Sequence, residues 1–363
     1  MRTSEHQSGK PSAALIAKPR GNQQRLRRMV FALIGWTFVL GSYGLVSAAA
    51  GPSSAIQSRE FYVSTTDSVS IHVVEKYRNG ERKIPILLVH GTWGSSQTWD
   101  FPDRSVMDYL ATRGYDVYAL DFRGMGKSDR PANYFAIGLL DRVRDLAAVA
   151  SYIVATTGHR PVVAGFSQGG LLTGLLAASN PELVEGVGLF SVPGDGFNTP
   201  ASFEPIIASV VASGVDRYLP PAEMIYAIAF GADPVTGRPT ISNEAFTRFV
   251  AMSEPDGVRV VLEQVSPEYF HAVVASAWPR IHAPALVVDG AQDLLVGETR
   301  ARALYDALGS QRKALLILPR NAHAWFLEDN FQATLRTFDA FLAHFPKSDT
   351  DCQNNKPGCT SDR

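Results

Sequence analysis

Beyond residue 60 the chain alternates between short apolar runs and longer stretches in which apolar positions recur every three or four residues. The runs "IPILLVHG", "YDVYALDFRG", "RPVVAGFS", "VEGVGLFSV", "APALVVDG" and "KALLILP" are rich in Val, Ile and Leu, with little polar alternation. Runs of that kind suit strands covered on both faces, as in a sheet packed between helices. Before them, "REFYVST" and "SIHVVEKY" alternate apolar and polar positions around "TTDS", which predicts an exposed hairpin. The clearest helical stripe joins Leu139, Leu140, Val143, Leu146, Val149, Tyr152 and Ile153. Strands alternating with helices predict an α/β fold with a doubly wound, mostly parallel sheet.

The rhythm breaks between about Pro193 and Trp278, where "FEPIIASVVASGV", "PPAEMIYAIAF" and "NEAFTRFVAMS" read as helices and no strand stands out. A structureless loop of that length is uncommon in a compact domain, so the interval reads as a helical cap inserted after the sixth strand of the sheet. The expected organisation is a leader over 1–50, a linker over 51–60, a core over 61–192 and 279–345, a cap over 193–278, and a polar tail over 346–363.

The leader differs from everything after it. Lys10, Lys18, Arg20, Arg25, Arg27 and Arg28 precede a mostly apolar stretch from Met29 to Val46, and "VSAAAGPSS" supplies small residues at Ala48 and Ala50. That is the pattern of an export signal cut before Gly51, giving a periplasmic or secreted protein. The alternative is an uncleaved membrane anchor, although Gly35, Gly41, Ser42 and Gly44 dilute the apolar stretch. Cys352 and Cys359 are the only cysteines, both in the tail, where they close a small loop if the compartment is oxidising.

Composition narrows the partners. A formal net charge of -1 with no recurrent basic cluster in the body of the chain argues against nucleic acid. There is no phosphate loop of the GxxxxGK[ST] type, no HExxH, and no histidine grouping at metal-ligand spacing, so no metal and no other cofactor is expected.

The stretch "VVAGFSQGG" carries the candidate chemistry. A strand running into Ser167 and a helix starting near Gln168 force the serine into a sharp turn, and glycines two positions to either side remove side chains that would collide there. The turn exposes the hydroxyl and aims the Gln168 N–H at any oxyanion forming beside it. A serine hydroxyl needs a base, and the base an orienting acid. Asp293 in "LVVDGAQDLLVG" and His323 in "NAHAWF" each follow a strand, on the edge where an open α/β sheet gathers its catalytic groups. Asp289 competes for the acid but precedes Gly290 inside a strand end; His344 competes for the base but sits in a helical pattern.

The order Ser, Asp, His, together with "LLVHGTWGSSQTW", "LDFRGMGKSD", "VVAGFSQGG", "VVDGAQD" and "NAHAWF", resembles the α/β-hydrolase fold family in its capped form, over roughly residues 61 to 345. The resemblance implies an eight-stranded sheet and a serine esterase with Ser167 as nucleophile, His323 as base and then acid, and Asp293 as the carboxylate that orients it. It makes Thr92 the second oxyanion donor beside Gln168, with His90 bracing that loop and Asp121, Arg123 and Ser128 fixing another. Trp93, Trp99, Phe166 and Trp325 are candidates for the pocket wall. Phe166 stands where many relatives have histidine, and Ser167 where members that open epoxides or carbon–halogen bonds have aspartate. The expected substrate is a small hydrophobic or aromatic ester. A lactone, a C–C bond or an N-terminal residue of a peptide are alternatives on the same fold, the last needing cap carboxylates such as Glu204, Glu223, Glu244, Glu254 or Glu263 to hold an amine. A receptor that kept the fold without catalysis is the alternative outside enzymes.

Overall fold

The computed structural model describes residues 55–345 apart from Glu81, 200–202 and Asp233. The leader, the cleavage position before Gly51, and Cys352 and Cys359 lie outside the described residues. Among those described, no helix is long and apolar enough to cross a membrane, and no cluster of His, Cys, Asp or Glu could hold a metal ion.

Strands β1 (Ile56–Ser64) and β2 (Ser70–Arg78) form the predicted hairpin. β1 starts inside the stretch expected to be a linker, because Ile56 pairs with Arg78 and every residue to Ser64 finds a partner on β2. Then follow β3 (Pro85–Val89), α1 (Val106–Thr112), β4 (Asp116–Leu120), α2 (Leu139–Thr157), β5 (Val162–Phe166), α3 (Gln168–Ser179) and β6 (Gly186–Phe190). The chain next makes α4 (Phe203–Ala212), β7 (Arg217–Tyr218), α5 (Ala222–Ala229), α6 (Asn243–Met252), β8 (Asp256–Gly257), α7 (Val258–Val265) and the single turn α8 (Pro267–Tyr269). It returns to the sheet as β9 (Ala285–Gly290), α9 (Gly297–Ala307), β10 (Lys313–Leu318) and α10 (Phe331–Leu342).

The eight-stranded sheet has the order β1-β2-β4-β3-β5-β6-β9-β10, antiparallel at β1–β2 and β2–β4 and parallel elsewhere. Successive side chains of a strand point to opposite faces, and β3 shows the result. Leu87 and Val89 pack with α2 and α3, whereas Ile86 and Leu88 pack with α1 and α10. Both faces are therefore covered, which is why the strands read as continuous apolar runs.

The described part of the insertion between β6 and β9 is mainly helical, and it also pairs β7 with β8 over two residues and bridges Ala232 to Pro239, neither of which the sequence pattern suggested. It has its own small core, in which Phe203 and Ile207 of α4 meet Val258 and Val261 of α7. Its two ends are tied together where Trp278 Nε1 donates to the Gly194 carbonyl at 3.0 Å. The Trp278 ring lies over α3 so closely that a Cβ on Gly174 would sit 2.2 Å from it.

Candidate active site

β5 delivers Ser167 to the edge of the sheet, and α3 begins at the next residue. Ser167 has φ 55° and ψ -122°, outside the regions that L residues prefer. Such a conformation costs on the order of 1–3 kcal/mol and persists only where the surroundings over-determine it. Here Ser167 N–H donates to the Phe190 carbonyl at 2.9 Å, and the Ser167 carbonyl accepts from Gly170 N–H at 2.9 Å. The neighbouring glycines are required by close approach. A Cβ on Gly165 would stand 2.2 Å from the Gly169 carbonyl oxygen, and one on Gly169 would stand 2.3 Å from that of Val89. Strand and helix cross here with no room for a methyl group.

Two loops bring partners to the serine. The loop after β10 places His323 Nε2 2.9 Å from Ser167 Oγ, and the loop after β9 places Asp293 Oδ2 2.7 Å from His323 Nδ1. All three residues are buried, Ser167 being the most open at 9% exposure. With Nδ1–H donating to Asp293, Nε2 is left as an acceptor facing the serine hydroxyl. Asp293 Oδ1 accepts from the N–H groups of Leu295 and Val296 at 2.8 and 3.0 Å. Burial alone would push this carboxyl up, but His323 and those N–H donors hold it below the usual carboxylate range. Asp289, the rival acid, is buried in β9, and its burial together with the Asp293 charge pushes it well up, towards the neutral form. His344, the rival base, is exposed at the end of α10, its Nδ1 2.8 Å from the Ala340 carbonyl.

The loop after β3 carries Thr92. Neither Thr92 N–H nor Gln168 N–H donates to an acceptor among the described residues, so two donors remain unpaired beside Ser167. His90 is buried, with Nδ1 2.8 Å from the Gly91 carbonyl and Nε2 accepting from Phe122 N–H at 3.3 Å. Burial pushes its imidazole down, which suits that neutral bridging role. Asp121 accepts from the N–H groups of Ser96 and Lys127, Ser128 Oγ donates to the Asp121 carbonyl, and Arg123 pairs with Asp67 and Asp145.

Sequence patterns did not single out three residues that hold this site. Ser191 Oγ donates to the His323 carbonyl at 2.7 Å. Glu328, fully buried, accepts Ala322 N–H on both carboxylate oxygens at 2.8 and 3.0 Å and lies 3.2 Å from Thr240 Oγ1. Burial pushes Glu328 up to about 7 despite the Ala322 N–H. Arg142 of α2 is also fully buried, and its position on the stripe, three residues after Leu139 and four before Leu146, is the signal that could have found it.

A cavity opens in front of Ser167 and His323. The sheet side contributes Thr92, Trp93, Phe166 and Leu295, and the insertion contributes Phe203, Ile225, Ile228, Phe249 and Gln264. Trp93 and Phe166, two of the candidates for the pocket wall, both line this cavity. Trp325 and Trp99 do not line the cavity; the helical turn after His323 carries Trp325 inward, 5.1 Å from the Phe190 ring and 6.4 Å from that of Trp99. Among the described residues, the cavity lining holds no Lys, Arg, Asp or Glu.

Known proteins share this architecture. The chain is 17% identical to a thermophilic esterase from Thermogutta terrifontis, solved with malate bound, covering 78% of this chain and 98% of that one with a TM-score of 0.60. It is 18% identical to the enol-lactonase from Burkholderia xenovorans LB400, covering 78% and 100% with a TM-score of 0.56. At such identities the likeness is one of fold. A Bacillus subtilis (strain 168) protein, provisionally named a 2-succinyl-6-hydroxy-2,4-cyclohexadiene-1-carboxylate synthase, is 29% identical over 129 residues. That match spans 36% of this chain and less than half, 43%, of the curated relative. Residues 86–337 match the alpha/beta hydrolase family, a span that takes in both halves of the parallel sheet, all three residues of the serine–histidine–aspartate chain and the whole insertion. The protein belongs to the alpha/beta hydrolase family.

Proposed function

We propose that this protein is a serine hydrolase that cleaves a carboxylic ester of an uncharged, hydrophobic or aromatic compound through an acyl-enzyme. The observation that carries the reading is Ser167 Oγ, 2.9 Å from His323 Nε2, facing a cavity with no Lys, Arg, Asp or Glu among its described lining residues. Ser167 Oγ attacks the ester carbonyl while His323 Nε2 takes its proton, and Asp293 stabilises the imidazolium so formed. The tetrahedral oxyanion is held by the N–H groups of Thr92 and Gln168. His323 returns the proton to the leaving alcohol as the C–O bond breaks. Water, deprotonated by His323, then attacks the acyl group and releases the acid and Ser167.

The cavity favours this substrate class over the alternatives. A peptidase acting on N-terminal residues needs a carboxylate for the ammonium group; of the cap carboxylates whose side chains are described, Glu223 and Glu244 are exposed while Glu254 and Glu263 pair with Arg130 and Arg259. The Bacillus subtilis relative is named for making a carboxylate, and no Lys or Arg stands among the described lining residues to meet one. The helical insertion, read as a cap, supplies most of the apolar wall. The basic and apolar leader supports export, checked by sequencing the mature N-terminus for a cut before Gly51.

The test is hydrolysis of p-nitrophenyl esters graded from acetyl to long acyl chains, with Ser167→Ala beside the wild type. Turnover lost in the variant supports the reading. A folded wild type that turns over none of them overturns it.

A further inference from the structure

The loop that carries Thr92 is fastened to the insertion at three points. Glu254 N–H donates to the Trp93 carbonyl at 2.9 Å, Trp93 Nε1 donates to the Tyr218 carbonyl at 2.9 Å, and Thr92 Oγ1 lies 3.2 Å from Gln264 Oε1. Trp93 has φ 62°, unusual for a bulky side chain, and a backbone so placed needs external contacts to persist. The insertion provides them.

Gln264, on α7, reaches the second donor residue as well. Its Oε1 accepts from Gln168 Nε2 at 2.8 Å, and its Nε2 donates to Thr92 Oγ1 at 3.1 Å, while Gln168 Nε2 and Thr92 Oγ1 are 3.2 Å apart. The three side chains close a ring. Its far side is anchored by Arg142, whose Nη1 donates to Gln168 Oε1 at 2.6 Å and to Asp256 Oδ2 at 3.0 Å. Asp256 belongs to the insertion too, and it also accepts Gly257 N–H at 2.7 Å. Arg142, Gln168 and Asp256 are fully buried and Gln264 is 7% exposed. In such surroundings a broken polar bond is costly, so the ring and its Arg142–Asp256 anchor specify the arrangement, although Arg142 Nε itself finds no partner among the described residues.

We propose that Gln264 is a positioning residue for the oxyanion hole: by bonding the side chains of both Thr92 and Gln168, it makes the seating of the insertion a condition for stabilising the tetrahedral intermediate. The inference rests on the esterase reading, since it assigns the two N–H donors a role in that reaction. It goes beyond that reading by making the insertion part of the catalytic apparatus and not only the wall of a pocket. Gln264 itself transfers no proton. Its effect is geometric, and a displacement of about 1 Å of a group aimed at the transition state costs on the order of a hundredfold in rate.

The test uses the full chain with p-nitrophenyl butyrate as substrate and an alkyl fluorophosphonate as a probe of the serine. Gln264→Leu and Thr92→Val, the latter keeping the backbone N–H, are each expected to lower kcat roughly 10- to 100-fold, with KM within about twofold. The phosphonylation rate falls by the same factor, since that reaction also builds charge on an oxygen in the hole. The double variant stays within about threefold of Gln264→Leu, because both changes break one ring. Unchanged kcat in the two single variants overturns the proposal, and so does a raised KM with kcat intact, which marks Gln264 as wall alone. If Gln264→Leu does not fold, Thr92→Val carries the same expectation. A wild type that the fluorophosphonate does not label defeats the esterase reading and this inference with it; a labelled wild type with equally fast variants defeats this inference alone.

Discussion

Glu328 gives the loop that carries His323 a pH-dependent stability. Its carboxyl is fully buried yet accepts Ala322 N–H on both oxygens, and burial raises it from 4.5 to about 7. Below about pH 4.5 the group is protonated in the folded and the unfolded chain alike, so it adds no pH dependence there. Between 4.5 and about 7 the folded protein keeps a proton that the unfolded chain has lost, and stability falls as pH rises. Above that window both forms are ionised and the loss is complete. At about 1.36 kcal/mol for each pH unit, the interval corresponds to about 3 kcal/mol. Glu328→Gln keeps the shape and one acceptor for Ala322 N–H but cannot titrate. Urea denaturation of both proteins from pH 4.5 to pH 8 isolates the effect, because all other groups titrate in common. The wild type should lose about 3 kcal/mol relative to the variant as pH rises, with the change centred between pH 5 and 7. A difference constant with pH refutes the reasoning, and one of opposite sign shows that the folded protein prefers the ionised group.

Other outcomes follow from the same geometry. Asp293→Asn should leave the fold intact and lower kcat roughly ten-thousandfold in a p-nitrophenyl ester assay, because the imidazole loses the partner that fixes its tautomer. Gly165→Ala puts a methyl group against the Gly169 carbonyl, and both a loss of about 1–3 kcal/mol in denaturation and a loss of turnover are expected. Asp256→Ala leaves the Arg142 charge buried without its carboxylate and should cost about 3–5 kcal/mol, measured by urea denaturation; a loss under about 1 kcal/mol would show that water reaches Arg142.

The parallel strands and the Ser167 turn were legible because backbone geometry imposes them locally. A strand covered on both faces must be continuously apolar, and a helix that crosses a strand within 2.3 Å of a virtual Cβ must carry glycine. Asp293 and His323 were legible for a related reason, since each follows a strand end of the same sheet. What escaped depends on contacts between distant segments. "VRVVLEQV" becomes α7, yet its β-branched residues carry little helical preference of their own, and its packing against Phe203 and Ile207 decides. A glutamine there looks solvated until Thr92 and Gln168 are brought beside it, 172 and 96 residues away along the chain. Trp325 misled in the opposite direction. It follows the histidine by two residues, yet the helical turn after His323 carries it into the core.

The cavity wall separates two kinds of residue. Ile225, Ile228 and Phe249 touch the substrate space but take no part in the hydrogen-bonded ring of Thr92, Gln168 and Gln264, whereas Gln264 belongs to both. If the proposed esterase function holds, exchange of the aliphatic and aromatic wall residues is expected to retune which acyl groups fit while leaving the chemistry in place. α7 has no such freedom, since its wall and its polar contacts are one surface. Descendants of this scaffold should diversify in α5 and α6 and stay fixed in α7, and a directed library confined to those two helices would sample new substrates without rebuilding the catalyst.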